Sequence, residues 1–185
     1  MSTSVLTRST AESIKSKGYV KWITLTALFM AINIAVSSFG IPVPGGHLYL
    51  CDTIICTAAL LMDPLSAFIV GGVGSFLGDM LFYPAPMFVS LVTHGLQALV
   101  ISGIVHSGIV RNSKQRFWVS LVATLIGGVI MVVGYTLGKI YVYSTFEYAM
   151  IKLPYEIAQA LLGVVGSLVL CYKAGLYKIF NRLEQ

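Results

Sequence analysis

Charge is scarce in this chain. Seven acidic and twelve basic residues make up 10% of 185 positions, where a soluble domain carries about 25%. Hydrophobic residues reach 57% and mean hydropathy is +0.86. A fold of this size leaves much of its surface exposed, and so apolar a surface is incompatible with water. An integral membrane protein of one domain follows. Cysteine is scarce too: Cys51, Cys56 and Cys171 are odd in number and lack CxxC spacing. That excludes a disulfide framework and gives no support to a zinc site; each is expected to pack as a small apolar residue. HExxH and GxSxG patterns are missing, and the three histidines (His47, His94, His106) are far apart. The run from Gly134 to Lys139 has the wrong spacing for a phosphate loop and no Ser or Thr after the lysine. Catalysis has no positive support, and ATP-driven activity would need another subunit.

What charge there is lies in clusters. Arg8, Lys15, Lys17 and Lys21 precede the first apolar run, Arg111, Lys114 and Arg116 share a mid-chain loop, and Lys173, Lys178 and Arg182 sit at the end. The net charge of +5 is therefore read as a topology signal and not as a nucleic-acid surface. Six apolar runs are expected to be helices: Trp22 to Phe39, Cys51 to Met62, Leu65 to Phe82, Met87 to Val110, Phe117 to about Tyr141, and Leu153 to Tyr172. The first is too long for a signal-peptide core, and no cleavage site follows it. GIPVPGGHLYL, residues Gly40 to Leu50, with two prolines and three glycines, is expected to be a loop. Val142 to Lys152 is expected to lie outside the helices. An even count puts both termini on one face, and the basic clusters make it cytoplasmic. The expected architecture is an all-α integral membrane protein, one membrane domain over 1–185. It has an N-terminal cytoplasmic segment 1–20, a six-helix bundle 21–173 and a cytoplasmic tail 174–185.

Small residues form stripes. Gly74/Gly78 and Gly134/Gly138 are GxxxG pairs, expected to serve internal helix packing. Ala27, Ala31 and Ala35 line one face of the first helix and suit either internal packing or a separate membrane partner. Ionisable groups at membrane depth mark function by default. His94 with Gln97, Glu156 with Gln159, and Tyr135 with Lys139 give three helices polar pairs near the same end. They suit a mainly apolar pocket with a few convergent polar groups. Against this, Lys139 and Glu156 would equally snorkel, and His94 and Gln97 would equally satisfy each other. Asp52 and Asp79 are read as caps or loop ties, Asp52 standing at a helix start. Asn33 stays ambiguous.

The segment PVPGGHLYLCDTIICTAALLMDPLSAFIVGGVGSFLGDML followed by YPAPMFVSLVTHGLQALVIS resembles the substrate-binding S components of energy-coupling factor (ECF) vitamin transporters. The likeness spans roughly residues 20 to 172 and is closest to the hydroxymethylpyrimidine and pyridoxine branch. It rests on Gly45-Gly46, Cys51-Asp52, Asp63-Pro64, Gly71-Gly72, Gly74-Ser75, Gly78-Asp79, Tyr83-Pro84 and His94-Gly95, with Pro154, Gln159 and Gly163 further on. His94 stands where the pattern has Lys, and Glu156 where it is commonly neutral. The resemblance implies a multi-pass subunit of the bacterial cell membrane that is not an enzyme and binds no cofactor. A transmembrane coupling subunit would dock on Ala27, Ala31 and Ala35, and two cytoplasmic ATPases would use ATP and Mg. A small water-soluble vitamin would bind among His94, Gln97, Gln159, Glu156, Tyr135 and Lys139, with Tyr49 and His47 closing the pocket. A B6 vitamer or hydroxymethylpyrimidine comes first, pantothenate or riboflavin next. From a different class, a small membrane enzyme and a structural membrane subunit without ligand are the alternatives.

Overall fold

A computed structural model describes residues 3–44, 46–108 and 112–184; Gly45, Val110 and Arg111 lie outside them. The chain runs as α1 (Thr3–Ser37), β1 (Gly40–Val43), β2 (Gly46–Tyr49), α2 (Cys51–Leu61), α3 (Pro64–Phe82), α4 (Met87–Val105), α5 (residues 113–143), α6 (Phe146–Lys173) and α7 (Leu176–Glu184). Five of these helices are long and apolar enough to cross a membrane. The expected all-α membrane bundle is therefore present, with several corrections.

α2 is the first. Its eleven residues rise about 17 Å, well short of an apolar core about 30 Å thick. Helices around it bury nine of the eleven. Its last turn is closed from elsewhere: the Tyr177 hydroxyl donates to the Leu60 carbonyl at 3.1 Å and Ser102 to that of Met62 at 2.7 Å. Asp63 then starts α3, with Pro64 in its first turn. Its carboxylate accepts from the Leu65 and Ser66 amides, the Ser66 hydroxyl and the Trp22 indole. Burial pushes the Asp63 carboxyl up, but these hydrogen bonds outweigh it and hold the group below the ordinary range.

The segment from Gly40 is not all loop. β1 and β2 pair antiparallel, Gly40 with Tyr49 and Pro42 with His47. Proline is admissible because each strand of a two-stranded ribbon has an outer side that needs no donor. α6 begins at Phe146, seven residues before Leu153, because Thr145 caps it by accepting from the Tyr148 amide and Pro154 is carried inside the helix. α4 ends at Val105 and α5 continues to Tyr143 through a wide turn. The expected tail is the helix α7, set off by Gly175 at φ +78°, a backbone state that glycine adopts freely.

Glycines bring the helices together. A Cβ at Gly71 would stand 2.8 Å from that of Ala98, and one at Gly72 3.0 Å from the Cα of Gly95, so α3 and α4 cross almost backbone to backbone. Gly74 and Gly78 face Asn33 and Ser37 of α1, and Gly134 and Gly138 face Thr93 and Val89 of α4. The two GxxxG pairs are thus internal packing. α3 widens at Ile69–Val73, a type of turn that leaves carbonyls without their usual helical partners. Asn33 donates to the Val70 carbonyl at 2.8 Å and to Ser75 at 3.2 Å, which resolves its role as a tie between α1 and α3. Thr26, Asn33 and Ser37 turn inward, while Ala27, Ala31 and Ala35 are all exposed. Internal packing therefore does not account for the alanine stripe.

Two glycine substitutions should act in opposite directions. At Gly163 a Cβ would meet the Cβ of Asp52 at 2.8 Å, whereas at Gly103 it would meet nothing within 4 Å. Gly163→Ala should lose about 1–3 kcal/mol by overpacking, and Gly103→Ala should gain about 0.5–1 kcal/mol in a helix interior. Thermal unfolding in one detergent compares them, and shifts of the same sign would contradict the packing described.

Candidate functional site

Because α2 stops short, the bundle is hollow beyond its N-terminus. A cavity of about 220 Å³ lies there, with His47 and Tyr49 of β2 in its lining. Behind its lining runs a hydrogen-bond chain through four elements. Asp52 on α2 is 1% exposed; its Oδ1 accepts from Gln97 Nε2 at 3.0 Å and its Oδ2 from Gln159 Nε2 at 2.6 Å. Gln97 Oε1 lies 2.8 Å from His94 Nδ1, and Gln159 Oε1 accepts from the Tyr49 amide at 3.0 Å. Asp52 therefore caps nothing; no side chain caps α2. It binds α2 to α4 and α6 instead.

The chain also fixes a tautomer. Asp52 takes the Gln97 amide N–H, so Gln97 Oε1 needs a donor and His94 Nδ1 must carry hydrogen. In the neutral ring His94 Nε2 is then an acceptor, on a residue that lines the cavity. Cys51, Asp52 and His94 bring potential metal-ligating atoms within 4.8 Å of one another. Both oxygens of Asp52 and Nδ1 of His94 are already engaged by the glutamines, and an internal hydrogen-bond network accounts for the grouping.

A second polar group lies on α5 and α6. Lys139 pairs with Glu156 through Oε1, and its ammonium sits 5.2 Å from the Tyr135 ring centroid. Glu156 is 5% exposed, and its Oε2 has no partner among the described residues. A buried carboxylate oxygen without a donor is costly and needs an explanation. On the α3–α4 side Asp79 accepts from Ser90, which also meets the Tyr135 hydroxyl. At the mouth, Lys152 donates to the His47 carbonyl. Tyr49, Tyr83, Tyr135, Tyr143 and Tyr148 supply aromatic wall.

Of the residues singled out in the sequence, His94, Gln159, Glu156, Tyr135, Lys139, Tyr49 and His47 line this one cavity. Gln97 stands behind the wall and holds His94 and Asp52. Lys152, Asp79, Cys51, Tyr83, Tyr143 and Tyr148 also line it and were not expected there. The apolar runs alone leave Lys152 outside the helices, since the run they mark begins at Leu153. Had the Thr145 cap been recognised, the spacing of 152, 156 and 159 would have marked one helical face.

Residues 17–178 match the family described as the ECF-type riboflavin transporter, S component. An uncharacterised protein in a gap 3′ region of Pyrococcus woesei is 29% identical over 137 residues, 73% of this chain and 88% of that protein. A family match over most of the chain, on a bundle of membrane-length helices with a buried polar cavity at one end, fixes the assignment: the chain belongs to the ECF-type riboflavin transporter S component family.

Proposed function

We propose that the cavity captures a single-ring, water-soluble vitamin or precursor, a pyridoxine-type B6 vitamer or hydroxymethylpyrimidine, for import. The family makes the chain a vitamin-type substrate-binding subunit of a transporter. The observation that carries the reading of the site is the buried Glu156 Oε2, a carboxylate oxygen waiting for a donor in a tyrosine-walled cavity. A flat heteroaromatic ring would stack on the tyrosines, give an O–H or N–H to Glu156 or His94 Nε2, and accept from Lys139 or Lys152. The volume of about 220 Å³ is below the roughly 300–1,000 Å³ usual for drug-sized ligands, which favours one ring. The family's own name favours riboflavin, with three fused rings, and that is the second reading.

Calorimetric titration of the purified chain with pyridoxine, hydroxymethylpyrimidine, pantothenate and riboflavin decides between them; tightest binding of riboflavin would overturn the first choice. His94→Ala should weaken the preferred ligand by about 1–3 kcal/mol, the cost of an unpaired buried group. Unchanged affinity in a folded variant would place the ligand elsewhere.

Partners follow the same reading. ECF S components work with a transmembrane coupling subunit and ATPase subunits, and ATP and Mg would belong to the latter. The exposed stripe of Ala27, Ala31 and Ala35 is the surface on which we place the coupling subunit, since small residues permit close helix approach in lipid. Ala31→Trp should leave ligand affinity and melting temperature of the solitary chain nearly intact, yet abolish copurification with the coupling subunit and stop uptake. Loss of fold or of ligand binding in the solitary variant would return the stripe to internal packing.

Both termini are placed in the cytoplasm on the strength of the basic clusters. In a cysteine-free background, a cysteine at position 114 should react with an impermeant reagent only from inside, and one at position 44 only from outside. Labelling of position 114 from outside would invert the orientation.

A further inference from the structure

One end of the hydrogen-bond chain behind the cavity has no freedom of direction. The Tyr49 amide is a backbone N–H and can only donate, so the Gln159 atom that meets it at 3.0 Å is the carbonyl oxygen Oε1. Gln159 then has only its NH₂ to turn to Asp52, and donates to Oδ2 at 2.6 Å. A carboxylate accepts at both oxygens, so Gln97 also offers its NH₂, to Oδ1 at 3.0 Å. Gln97 Oε1 is left facing His94 Nδ1 at 2.8 Å, and Nδ1 supplies the hydrogen. Asp52 Oδ1 itself stands 3.8 Å from Nδ1, beyond hydrogen-bond reach. The carboxylate therefore acts on the ring through Gln97. Asp52 and Gln97 are each 1% exposed, and of these groups it is His94 that meets the cavity, alongside Gln159 and Tyr49.

Exchanging one oxygen of Asp52 for NH₂ would reverse one arm of this chain and leave the other. In Asp52→Asn the Gln159 arm, pinned by the Tyr49 amide, still needs an acceptor, so the new carbonyl turns to it. The new NH₂ then faces Gln97, whose amide must turn over to accept it. Gln97 Nε2 would donate to His94 Nδ1, and the ring hydrogen would move to Nε2. The Cys56 sulfur, 3.7 Å from Gln97 Nε2, suits both arrangements, since a thiol is a weak acceptor and a weak donor.

We propose that Asp52 is a positioning residue that sets the cavity's specificity: through Gln97 it makes the wall at His94 an acceptor, which selects ligands presenting an O–H or N–H there. A ligand with only a lone pair at that point would put two acceptors face to face, both unpaired and buried, and such a mismatch is rejected more strongly than a small misfit of shape. This rests on the reading of the cavity as the ligand site. It adds the residue that decides the ligand's polarity at one wall without touching the ligand.

The test reads the His94 ring by nitrogen NMR in the full chain, isotope-labelled at histidine and purified in detergent, its signals identified by their loss in His94→Gln. In the unsubstituted chain Nδ1 should carry hydrogen and Nε2 be bare; in Asp52→Asn the two should exchange. Phenol, which can donate, and pyridine, which can only accept, serve as single-ring probes. Phenol should move the Nε2 signal of the unsubstituted chain at lower concentration than pyridine. Asp52→Asn should reverse that order, changing the ratio of the two affinities about tenfold. A merely structural role for Asp52 would weaken both probes alike and leave the tautomer, and that result would overturn the proposal. Should Asp52→Asn fail to fold, the unsubstituted chain still decides, because hydrogen on Nε2, alone or together with Nδ1, would overturn it too. A reversal with the probes, alongside vitamins that never disturb Nε2, would support the proposal and overturn the vitamin reading instead.

Discussion

A carboxylate buried below the head groups must be met by donors, and everything around the candidate site is arranged to meet that of Asp52. Gln97 brings α4 to it and Gln159 brings α6. An unanswered charge in such surroundings would be expensive, so the two glutamines fix the relative height of three helices. Gly163 completes the arrangement, since any side chain there would run into Asp52. The amide bonds then reach outwards to His94 on one side and to Tyr49 on the other. One buried carboxyl group thus ties together the residues behind the cavity, the tautomer of its histidine and the seat of the hairpin above.

The shortness of α2 is the complementary constraint. Had it continued for three more turns towards the hairpin, its side chains would have filled the space that is now cavity. Glycine-mediated contacts keep the neighbouring helices close without it: α3 meets α4 at Gly71, Gly72 and Gly95, and α4 meets α5 at Gly127, Gly134 and Gly138. In lipid, where apolar burial provides no drive between helices, such close approach is a main source of cohesion. The bundle is therefore tightly packed where glycines meet and hollow where α2 is missing.

The course of the chain was largely legible because hydropathy reports membrane burial directly. Boundaries were less so, and for local reasons. Thr145 caps a helix through a hydrogen bond that an apolar-run reading does not weigh, so the first turns of α6, Lys152 among them, were assigned to a loop. Pro42 and Gly40 read as breakers, yet a ribbon of two strands tolerates both. The polar pairs on α4, α5 and α6 are visible as helical spacings, and all of their members except Gln97 line one cavity. The place of Asp52 at a helix start suggests capping; its partners are 45 and 107 residues away, and no local pattern announces them.

The hairpin is held to α6 by two bonds, from the Tyr49 amide to Gln159 and from Lys152 to the His47 carbonyl. Both α6 side chains also line the cavity. Cover and contents therefore draw on the same two groups. A guest that takes a hydrogen bond from Lys152 does so in competition with the hairpin, and one that leaves Gln159 undisturbed keeps the hairpin seated. Were a ligand to bind there, occupancy and the seating of the hairpin would be thermodynamically linked, each altering the other by the same free energy. Selectivity at such a cavity would then depend on the fit of a molecule to the walls and equally on whether the hairpin keeps its two bonds to α6.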